Sequence, residues 1–530
     1  MVDMAILHYL SVPQSHLLLI SLVFIITWVY TLHPKWSFCI DDIEGVAKFS
    51  DRFVQRKDDK GNIISEEKVD YYEEDVAGKK VRHGNFALNT SIGFPGCLMR
   101  WFRCMWGRKF KEIGRNSKGH PIYGFVQVAW KHHLLSLIVQ YSNSVLAYLF
   151  LSKLFTPQLA LVSTLIFITH PISVQVTAWI SGVNYGLSML GTLVALNMAF
   201  LNLSPYLLIP TISIPAIFSS LTLLPGSLTW VPLLFLGRFE PAIIYFISGM
   251  AVFAYQAYVV VSFRKKSFKE QQMVKPTEIY VRRFFVVIKT IWYYLKMIVF
   301  PKRLGLFHTF GYHFEDPINY ADRSFWLGIV SLVALSFLAY FSEFPVRFGI
   351  VWFFVYLTVF MNFVTAMQFV SERYVYFPSL GFALVLGYFI QDYPIILAFL
   401  LGIYVMRVWV HLPSFQNEVR FYESNVFNFP DSEVAMGNLG VSYLNHGMAH
   451  KAFDTWQEAT RQNPLYDVPW YNLYSIYKQN GDIINARKAL AKCLNSTVIH
   501  FPEQWTKELA ELDAIIAQAV SDGRIKQVPI

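Results

Sequence analysis

The sequence predicts an all-α protein: a bundle of roughly eleven or twelve membrane-crossing helices followed by a C-terminal α-solenoid. Three observations predict it. Hydrophobic residues make up 54% of the 530 residues and charged residues 15%, against about 25% charged in soluble domains. Apolar runs of about 20 residues, the length that crosses a bilayer, recur up to residue 411. From residue 433 the pattern changes to a helical one with a period of 34 residues.

The elements follow in order. The run "HLLLISLVFIITWVYTL" (16–32) lacks a small-residue cleavage site after it and reads as a retained transmembrane helix. Residues 33–130 are polar, and "RKDDKGNIISEEKVDYYEEDVAGKK" is loop-like. Within them "CLMRWFRCMWGRKFK" (97–111) mixes Trp, Phe and Met with Arg and Lys. That mixture suits an amphipathic helix in the headgroup layer, the alternative being a solvated charge run. Candidate spans follow at 133–154, 158–180, 182–203, 205–224, 241–263, 284–301, 324–342, 346–368, 374–391 and 393–411. "SLTWVPLLFL" (227–236) is too short for a span and reads as half of a broken helix or a re-entrant segment. The chain thus divides into a first helix (1–32), a first external loop (33–130), a multi-pass bundle (131–411) and a repeat domain (412–530).

Charge sets the expected topology. The short loop "FRKKSFKEQQMVKPTEIYVRR" (263–283) is the most basic, which places it in the cytoplasm. Counting spans from there puts "SERYVYF" and everything after 411 on the external face. The net charge of +9 reflects loops at the membrane surface and no nucleic-acid partner. Four cysteines make no disulfide framework. Cys97 and Cys104 stand two helical turns apart, too far to bond each other.

The 34-residue period identifies the last part. Leu439, Gly440, Tyr443, Ala452, Trp456, Ala459 and Pro464 occupy tetratricopeptide positions. A second register places Trp470, Leu473, Tyr477, Gly481, Ala486 and Leu490 in the same frame. Small residues let the two helices of a repeat approach, and Tyr and Leu fill the space between them. "QNEVRFYESNVFNFP" reads as a half repeat that starts the stack, and "EQWTKELAELDAIIAQAV" as a last helix.

A membrane bundle followed by these repeats resembles the transmembrane and tetratricopeptide-repeat O-mannosyltransferases. It also resembles the wider GT-C glycosyltransferases, which use polyprenyl-phosphate sugars. The matching segments are "FCIDDIEGV" (38–46), "HLLSLIVQYSNSVLAYLF" (133–150), "HPISVQVTAWISG" (170–182), "WYYLKMIVFPKRLGL" (292–306) and "SERYVYFPSLGFALVLGY" (371–388). They occur in the family's order and cover most of the chain. The resemblance implies a GT-C-like fold and transfer of one sugar, with inversion, from a lipid phosphate to an acceptor on the external face.

That chemistry gives the residues their roles. An acceptor hydroxyl or amide is a poor nucleophile, and a carboxylate can take its proton as it attacks the anomeric carbon. The resemblance assigns this to Asp41, with Asp42 as its partner. The leaving lipid phosphate needs positive charge, which Arg373, Lys302 and Arg303 are expected to supply; Lys296 is a further candidate. His170, His133, Glu372 and Tyr374 are supporting residues. Each has a structural alternative: solvated loop acids or a helix cap for the Asp pair, an interfacial anchor and its ion pair for Arg373 and Glu372, a helix-end cap for His170, snorkelling for His133, ordinary helix-end charges for Lys302 and Arg303. The spacing of His308, His313, Glu315 and Asp316 matches no metal motif, and neither metal nor cofactor is expected beyond the lipid-linked co-substrate. The repeats are expected to hold a protein or peptide acceptor near the external mouth.

The chain also departs from the family pattern. Gln175 stands where the family has an acid in its His-Pro segment, Val183 and Asn184 stand where it has Gly-Arg and a further acid, and Leu224 precedes Pro225 where a Lys is common. Gln140 and Ser136 replace other polar residues of the second helix. These neutralised positions support an alternative: a catalytically decayed GT-C scaffold that binds partner proteins through its repeats. A carrier-lipid flippase is a third reading that neither the repeats nor the acidic pair supports. The expected location is a bacterial inner membrane with a periplasmic site, or an endoplasmic reticulum membrane with a lumenal one.

Overall fold

The computed structural model describes residues 12–33, 36, 53–57, 63–68, 71–76, 79–84, 106, 108–115, 121–201, 211, 226–251, 254, 276–308, 319–361, 370–496 and 501–522. The chain divides into two compact units, Met1–Lys302 with Tyr312–Asn417, and Arg303–Gly311 with Glu418–Ile530.

Among the described residues of the first unit, six helical stretches are long and apolar enough to cross a membrane: Gln14–Leu32, Ala129–Leu154, Ile180–Phe200, Arg323–Phe341, Glu372–Ile390 and Pro394–Phe415. Their helical cores are α1 (Gln14–Trp28), α2 (Ala129–Leu154), α5 (Val183–Phe200), α9 (Arg323–Phe341), α11 (Tyr376–Ile390) and α12 (Pro394–His411). The span expected at 158–180 is not one straight helix. It is α3 (Pro157–Thr169), a 3₁₀ turn at Pro171–Ser173 and the short α4 (Val174–Thr177), bent by 52°. The cause is local. A residue before proline is driven out of the helical region, and His170 is extended at φ −63°, ψ 126°.

Other expected spans differ. The stretch at 227–236 is a six-residue helix, α6 (Trp230–Phe235). Among the described residues two further apolar helices are shorter: α7 (Phe239–Ala251), and α10 (Phe344–Leu357), which runs on to Phe360. At 284–301 the chain forms α8 (Pro276–Val299), whose apolar run is interrupted by Arg282, Arg283, Lys289 and Lys296. The span expected at 205–224 lies outside the described residues, apart from Thr211.

The polar stretch between α1 and α2 is not wholly helical. It contains three antiparallel hairpins: β1 (Phe53–Lys57) with β2 (Ile63–Lys68), β3 (Tyr71–Val76) with β4 (Lys79–Gly84), and β5 (Arg108–Arg115) with β6 (Pro121–Gln127). In the last, Arg108 pairs with Gln127 and Arg115 with Pro121. The amphipathic helix expected over 97–111 therefore does not extend past Gly107. Residues 97–105 lie outside the described set. The run Ile122, Tyr123, Phe125 and Val126 is β-branched and aromatic, which favours extended chain, and Gly114 and Gly124 weaken any helix there.

Close approach of small residues organises the bundle. A Cβ on Gly381 of α11 would lie 2.4 Å from the Gly349 carbonyl of α10, and one on Gly349 would lie 2.8 Å from the Gly381 carbonyl. The two helices cross there backbone to backbone, as small residues allow between membrane helices. Nearby, the Trp352 indole donates to the Phe377 carbonyl at 2.9 Å.

The second unit is helical throughout its described residues: α13 (Glu418–Asn428), α14 (Glu433–Asn445), α15 (Ala449–Gln462), α16 (Asp467–Gln479), α17 (Ile483–Leu494) and α18 (Pro502–Ser521). The period is visible in its turns. Gly447 and Gly481, 34 positions apart, end α14 and α16 with φ 76° and 75°. Met448 N–H donates to the Tyr443 carbonyl and Asp482 N–H to the Tyr477 carbonyl, at 2.8 and 2.9 Å. This is the helix-ending turn in which glycine takes the left-handed conformation without steric cost. Ala452 and Ala486 are both fully buried, and Leu439 and Leu473 are buried as well. Gly440 admits the Trp456 ring, whose atoms come within 2.2 Å of a Cβ built there, and the indole donates to the Gly437 carbonyl at 3.0 Å.

Residues 303–311 cluster with this unit, although they precede it by more than a hundred positions. The N–H groups of Leu306 and Phe307 both donate to Asn425 Oδ1 on α13, at 2.7 and 3.1 Å. The Phe307 ring stacks on Tyr422 at 6.0 Å.

Candidate functional site

The strongest constellation in the first unit forms around the turn that opens α11. Ser371 is extended, and Glu372–Val375 make one turn of 3₁₀ helix. The bend after His170 brings α4 to this turn, and Gln175 on α4 is fully buried. Its Oε1 accepts from Ser371 Oγ at 2.8 Å, from the Arg373 N–H at 3.0 Å and from Arg373 Nη1 at 3.5 Å. Arg373 Nη1 also donates to Ser371 Oγ at 2.8 Å. The guanidinium lies against three rings: Tyr374 at 4.9 Å, Trp179 at 5.4 Å and Tyr185 at 5.9 Å. Tyr374 in turn stacks on Phe360 at 4.4 Å, with ring planes 5° apart. A planar cation held by aromatic faces and a neutral acceptor keeps its charge and its orientation.

Glu372 points to another part of the bundle. Its fully buried carboxylate lies 3.5 Å from His411 Nε2 at the end of α12, and His411 Nδ1 is 3.4 Å from Ser414 Oγ. One turn earlier on α12, Arg407 donates to the carbonyls of Pro301, at 2.9 Å, and Lys302. Tyr404, a further turn back, packs on His170 at 4.8 Å. One face of α12 thus engages the end of α8, the His-Pro bend and the turn before α11. His170 itself is fixed at both nitrogens: Nδ1 accepts from the Ile172 N–H at 3.2 Å, and Nε2 bonds the Ile298 carbonyl at 2.9 Å.

A buried polar stripe on α2 borders the same region. His133, Ser136, Gln140, Asn143 and Ser144 recur at three- and four-residue spacing and are all buried, so they share one helix face. Tyr376 of α11 donates to Gln140 Oε1, and Asn143 Nδ2 donates to the Tyr376 hydroxyl at 3.0 Å and the Gly186 carbonyl at 2.9 Å. His133 meets the Trp36 ring edge to face at 5.2 Å. Among the described residues, Trp36 Nε1, Thr177 Oγ1 and Trp179 Nε1 have no hydrogen-bond partner. Polar groups in such a setting cost about 1–3 kcal/mol each when left unmatched.

The sequence-derived candidates fall as follows. Arg373, Tyr374 and Glu372 share one turn; Arg373 and Tyr374 join Trp179 and Tyr185, while Glu372 joins His411. His133 lies on the polar stripe, and His170 at the bend. Lys302 is exposed and belongs to the first unit; Arg303 is exposed and belongs to the second. Asp41 and Asp42 lie outside the described residues. Trp36 is buried against His133. Of the His308 group, His308 packs on Phe429 at 4.5 Å, and His313, Glu315 and Asp316 lie outside the described residues. Sequence reasoning did not single out Trp179, Tyr185, Arg407 or His411. Arg407 and His411 carried a usable signal, since ionisable residues inside an apolar span are costly and are retained for a reason.

In the repeat unit the polar side chains are structural. Tyr443 donates to Glu423 at 2.8 Å, and burial with the nearby Glu423 carboxylate pushes its phenol up to about 12. Burial, aided by Asp467, raises the Cys493 thiol to about 12, so it is not a nucleophile at neutral pH.

No protein-family model matches the chain, and no solved structure matches it. It is similar to TPR repeat-containing protein PA0015 of Pseudomonas aeruginosa, with 30% identity over 79 residues, covering 15% of this chain and 75% of that protein. Two in-register helical hairpins with left-handed glycines at matching turns agree with that similarity, and the chain belongs, through its repeats, to the TPR repeat-containing proteins.

Proposed function

We propose that the protein is a membrane glycosyltransferase that moves a sugar from a polyprenyl-phosphate carrier to a protein acceptor on the external or lumenal face. The observation that carries this reading is Arg373, fixed by Gln175 and Ser371 among Trp179, Tyr185 and Tyr374 at the mouth of an apolar helix. A fixed guanidinium beside aromatic faces suits the phosphate of a lipid whose tail needs an apolar bundle. In the proposed step an acceptor oxygen or nitrogen attacks the anomeric carbon. Asp41, oriented by Asp42, takes the acceptor's proton. The bond from that carbon to the phosphate oxygen breaks with inversion, and the lipid phosphate leaves against Arg373, with Lys302 as a further cation. Binding of a protein acceptor agrees with the interaction role that repeats of this class commonly have.

The experiment is turnover by full-length protein in lipid nanodiscs with a panel of polyprenyl-phosphate sugars. Release or transfer of sugar from at least one donor, lost in Arg373→Gln, is expected. A folded protein that turns over none of them, yet captures a defined protein through its repeats, would favour the scaffold reading. The neutral Gln175 and the repeat similarity are the observations on that side.

A further inference from the structure

We infer that the repeat unit rests one end of its helix stack on the lipid bilayer, with Phe427, Leu465 and Phe501 entering the headgroup layer. This goes beyond the proposed reaction and rests only on the membrane-spanning reading of the first unit.

The direction of the chain comes first. Helices α13 to α18 follow one another through short connections, and each packs on the next. Helices joined and packed in this way run antiparallel. The C-terminal ends of α13, α15 and α17 and the N-terminal ends of α14, α16 and α18 therefore share one end of the stack. The turns at 446–448 and 480–482 lie at the other.

The two ends differ in chemistry. At the first, each joint brings a large apolar side chain into the open. Phe427, in the last turn of α13, is 85% exposed, Leu465 is 56% exposed, and Phe501, just before α18, is 57% exposed. Tyr466 and Trp470 are half-buried at the same end, and the Trp470 indole donates to the Pro464 carbonyl at 3.0 Å. The turns at the opposite end read His446-Gly447-Met448 and Asn480-Gly481-Asp482, with Leu444 exposed beside the first. Scattered exposed apolar residues need no explanation, but one at each of three successive joints on one end forms a pattern. Phe and Leu accompanied by Tyr and Trp suit the bilayer interface, where amphipathic rings sit at headgroup depth. Asp431, Arg461, Lys492 and Glu503 give this end both signs of charge, which suits a neutral lipid surface better than a strongly charged partner.

The tether identifies the occupant. The helical stretch Pro394–Phe415 is long and apolar enough to cross a membrane, and α13 begins at Glu418. Gln416 and Asn417 separate the two, and α13 is about 16 Å long. The apolar end is thus held close to a bilayer surface at high effective concentration, so modest insertion of a few side chains suffices.

The test uses the full-length chain, one copy per phosphatidylcholine nanodisc, and spin-label resonance. Cys39, Cys97 and Cys104 are replaced by serine, and the buried Cys493 stays. Labels are placed on Leu465→Cys, on Asn480→Cys at the opposite end, and on Phe399→Cys as a lipid control, a site 72% exposed on α12. Accessibility to oxygen, which concentrates in lipid, is compared with accessibility to a water-soluble nickel chelate. The oxygen-to-nickel ratio at Leu465→Cys should exceed that at Asn480→Cys about tenfold, as at an interfacial site. Phe427→Ser with Phe501→Ser, at exposed positions where folding is little affected, should lower the Leu465→Cys ratio severalfold. Wild-type chain in discs carrying a photoactivatable phosphatidylcholine gives a second reading that needs no substitution. Lipid adducts are expected on peptides containing Phe427, Leu465 or Phe501, and not on those containing Gly447 or Gly481.

The outcomes separate this inference from the reading beneath it. A water-like ratio at Leu465→Cys with a lipid-like ratio at Phe399→Cys overturns the inference and leaves the spans standing. A water-like ratio at both sites removes the spanning reading as well. Low access of both reagents to Leu465→Cys means that protein covers this end, and the inference fails. Adducts confined to the membrane-spanning helices overturn it too.

Discussion

Two inward-facing cations of the first unit, Lys289 and Arg373, are held in different ways. Lys289 of α8, with 6% of its side chain exposed, meets Asp322 at 2.6 Å. Asp322 also caps α9, accepting from the Ser324 N–H at 2.8 Å. Arg373 is held by a neutral amide, a hydroxyl and three rings. The Lys289 arrangement uses a cation to neutralise a carboxylate and join two helices. The Arg373 arrangement fixes the orientation of a guanidinium at a defined place. A buried ion pair contributes little net stability but is costly to break on one side. A caged cation has an electrostatic effect on whatever binds beside it.

The comparison can be broken by substitution, starting with the largest effect. If Arg373 serves a leaving phosphate, a general base must serve the other end of the reaction. Asp41→Asn should lower transfer by about 10²–10⁴-fold while leaving lipid-phosphate binding unchanged. Normal transfer by a folded Asp41→Asn protein would remove the base from this scheme. Arg373→Lys keeps the charge and loses the planar fork. It should lower transfer by about 10²–10³-fold with little change in melting temperature.

Lys289→Met should do the reverse. It should destabilise the protein by about 3 kcal/mol in detergent unfolding and leave lipid-phosphate binding unchanged. The double change Lys289→Met with Asp322→Leu should be less harmful than the single one. Acid sharpens the point. Burial pushes the Asp322 carboxyl up, but Lys289 and the Ser324 N–H outweigh it and hold it below the ordinary value of 3.8. A carboxyl depressed in the folded state stabilises fully above its unfolded value, and that contribution is lost as pH falls through the folded one. Melting temperature should therefore fall below about pH 4, and Asp322→Asn should remove that part of the fall. An unchanged acid profile in Asp322→Asn would show that the pair does not couple to folding. The smallest expected effect is a control that touches neither cation. Gly481→Ala forces alanine into a left-handed turn and should cost about 1–2 kcal/mol of repeat-unit stability, with donor binding intact.

The repeats were legible because a period of 34 residues repeats the same contacts, and spacing alone identifies them. The His-Pro bend was only half legible. Proline predicts a break, but the expected span ran straight through it. Gln175 was visible as a departure from a resembling pattern, although nothing in the sequence placed it against Ser371 and Arg373. That contact spans almost two hundred positions and depends on a 52° bend. His411 and Glu372 are likewise distant in sequence and meet through packing. The third hairpin, β5 with β6, was missed for a different reason. Dense tryptophan and arginine up to residue 108 suggested an interfacial helix, while the extended-chain signal lies just beyond, at 122–126. The acidic pair was legible as a pattern and lies outside the described residues.

The segment at 303–308 has a consequence for anyone who wishes to cut the protein. Phe421, Tyr422, Asn425 and Phe429 are buried. Part of what covers them is chain that precedes α13 by more than a hundred residues: Leu306 and Phe307 bond Asn425, and a Cβ at Gly305 would already collide with its Oδ1 at 2.6 Å. Solenoids need a distinct first layer to shield their open end, and here that layer is donated from elsewhere in the chain. A fragment beginning at Glu418 would expose aromatic surface and an uncapped amide, and it should associate or precipitate. The same fragment supplied with residues 303–311, as a fused or separately added peptide, should become monomeric. The repeats are contiguous in sequence, but as a folding unit they are a composite and do not transplant by cutting once.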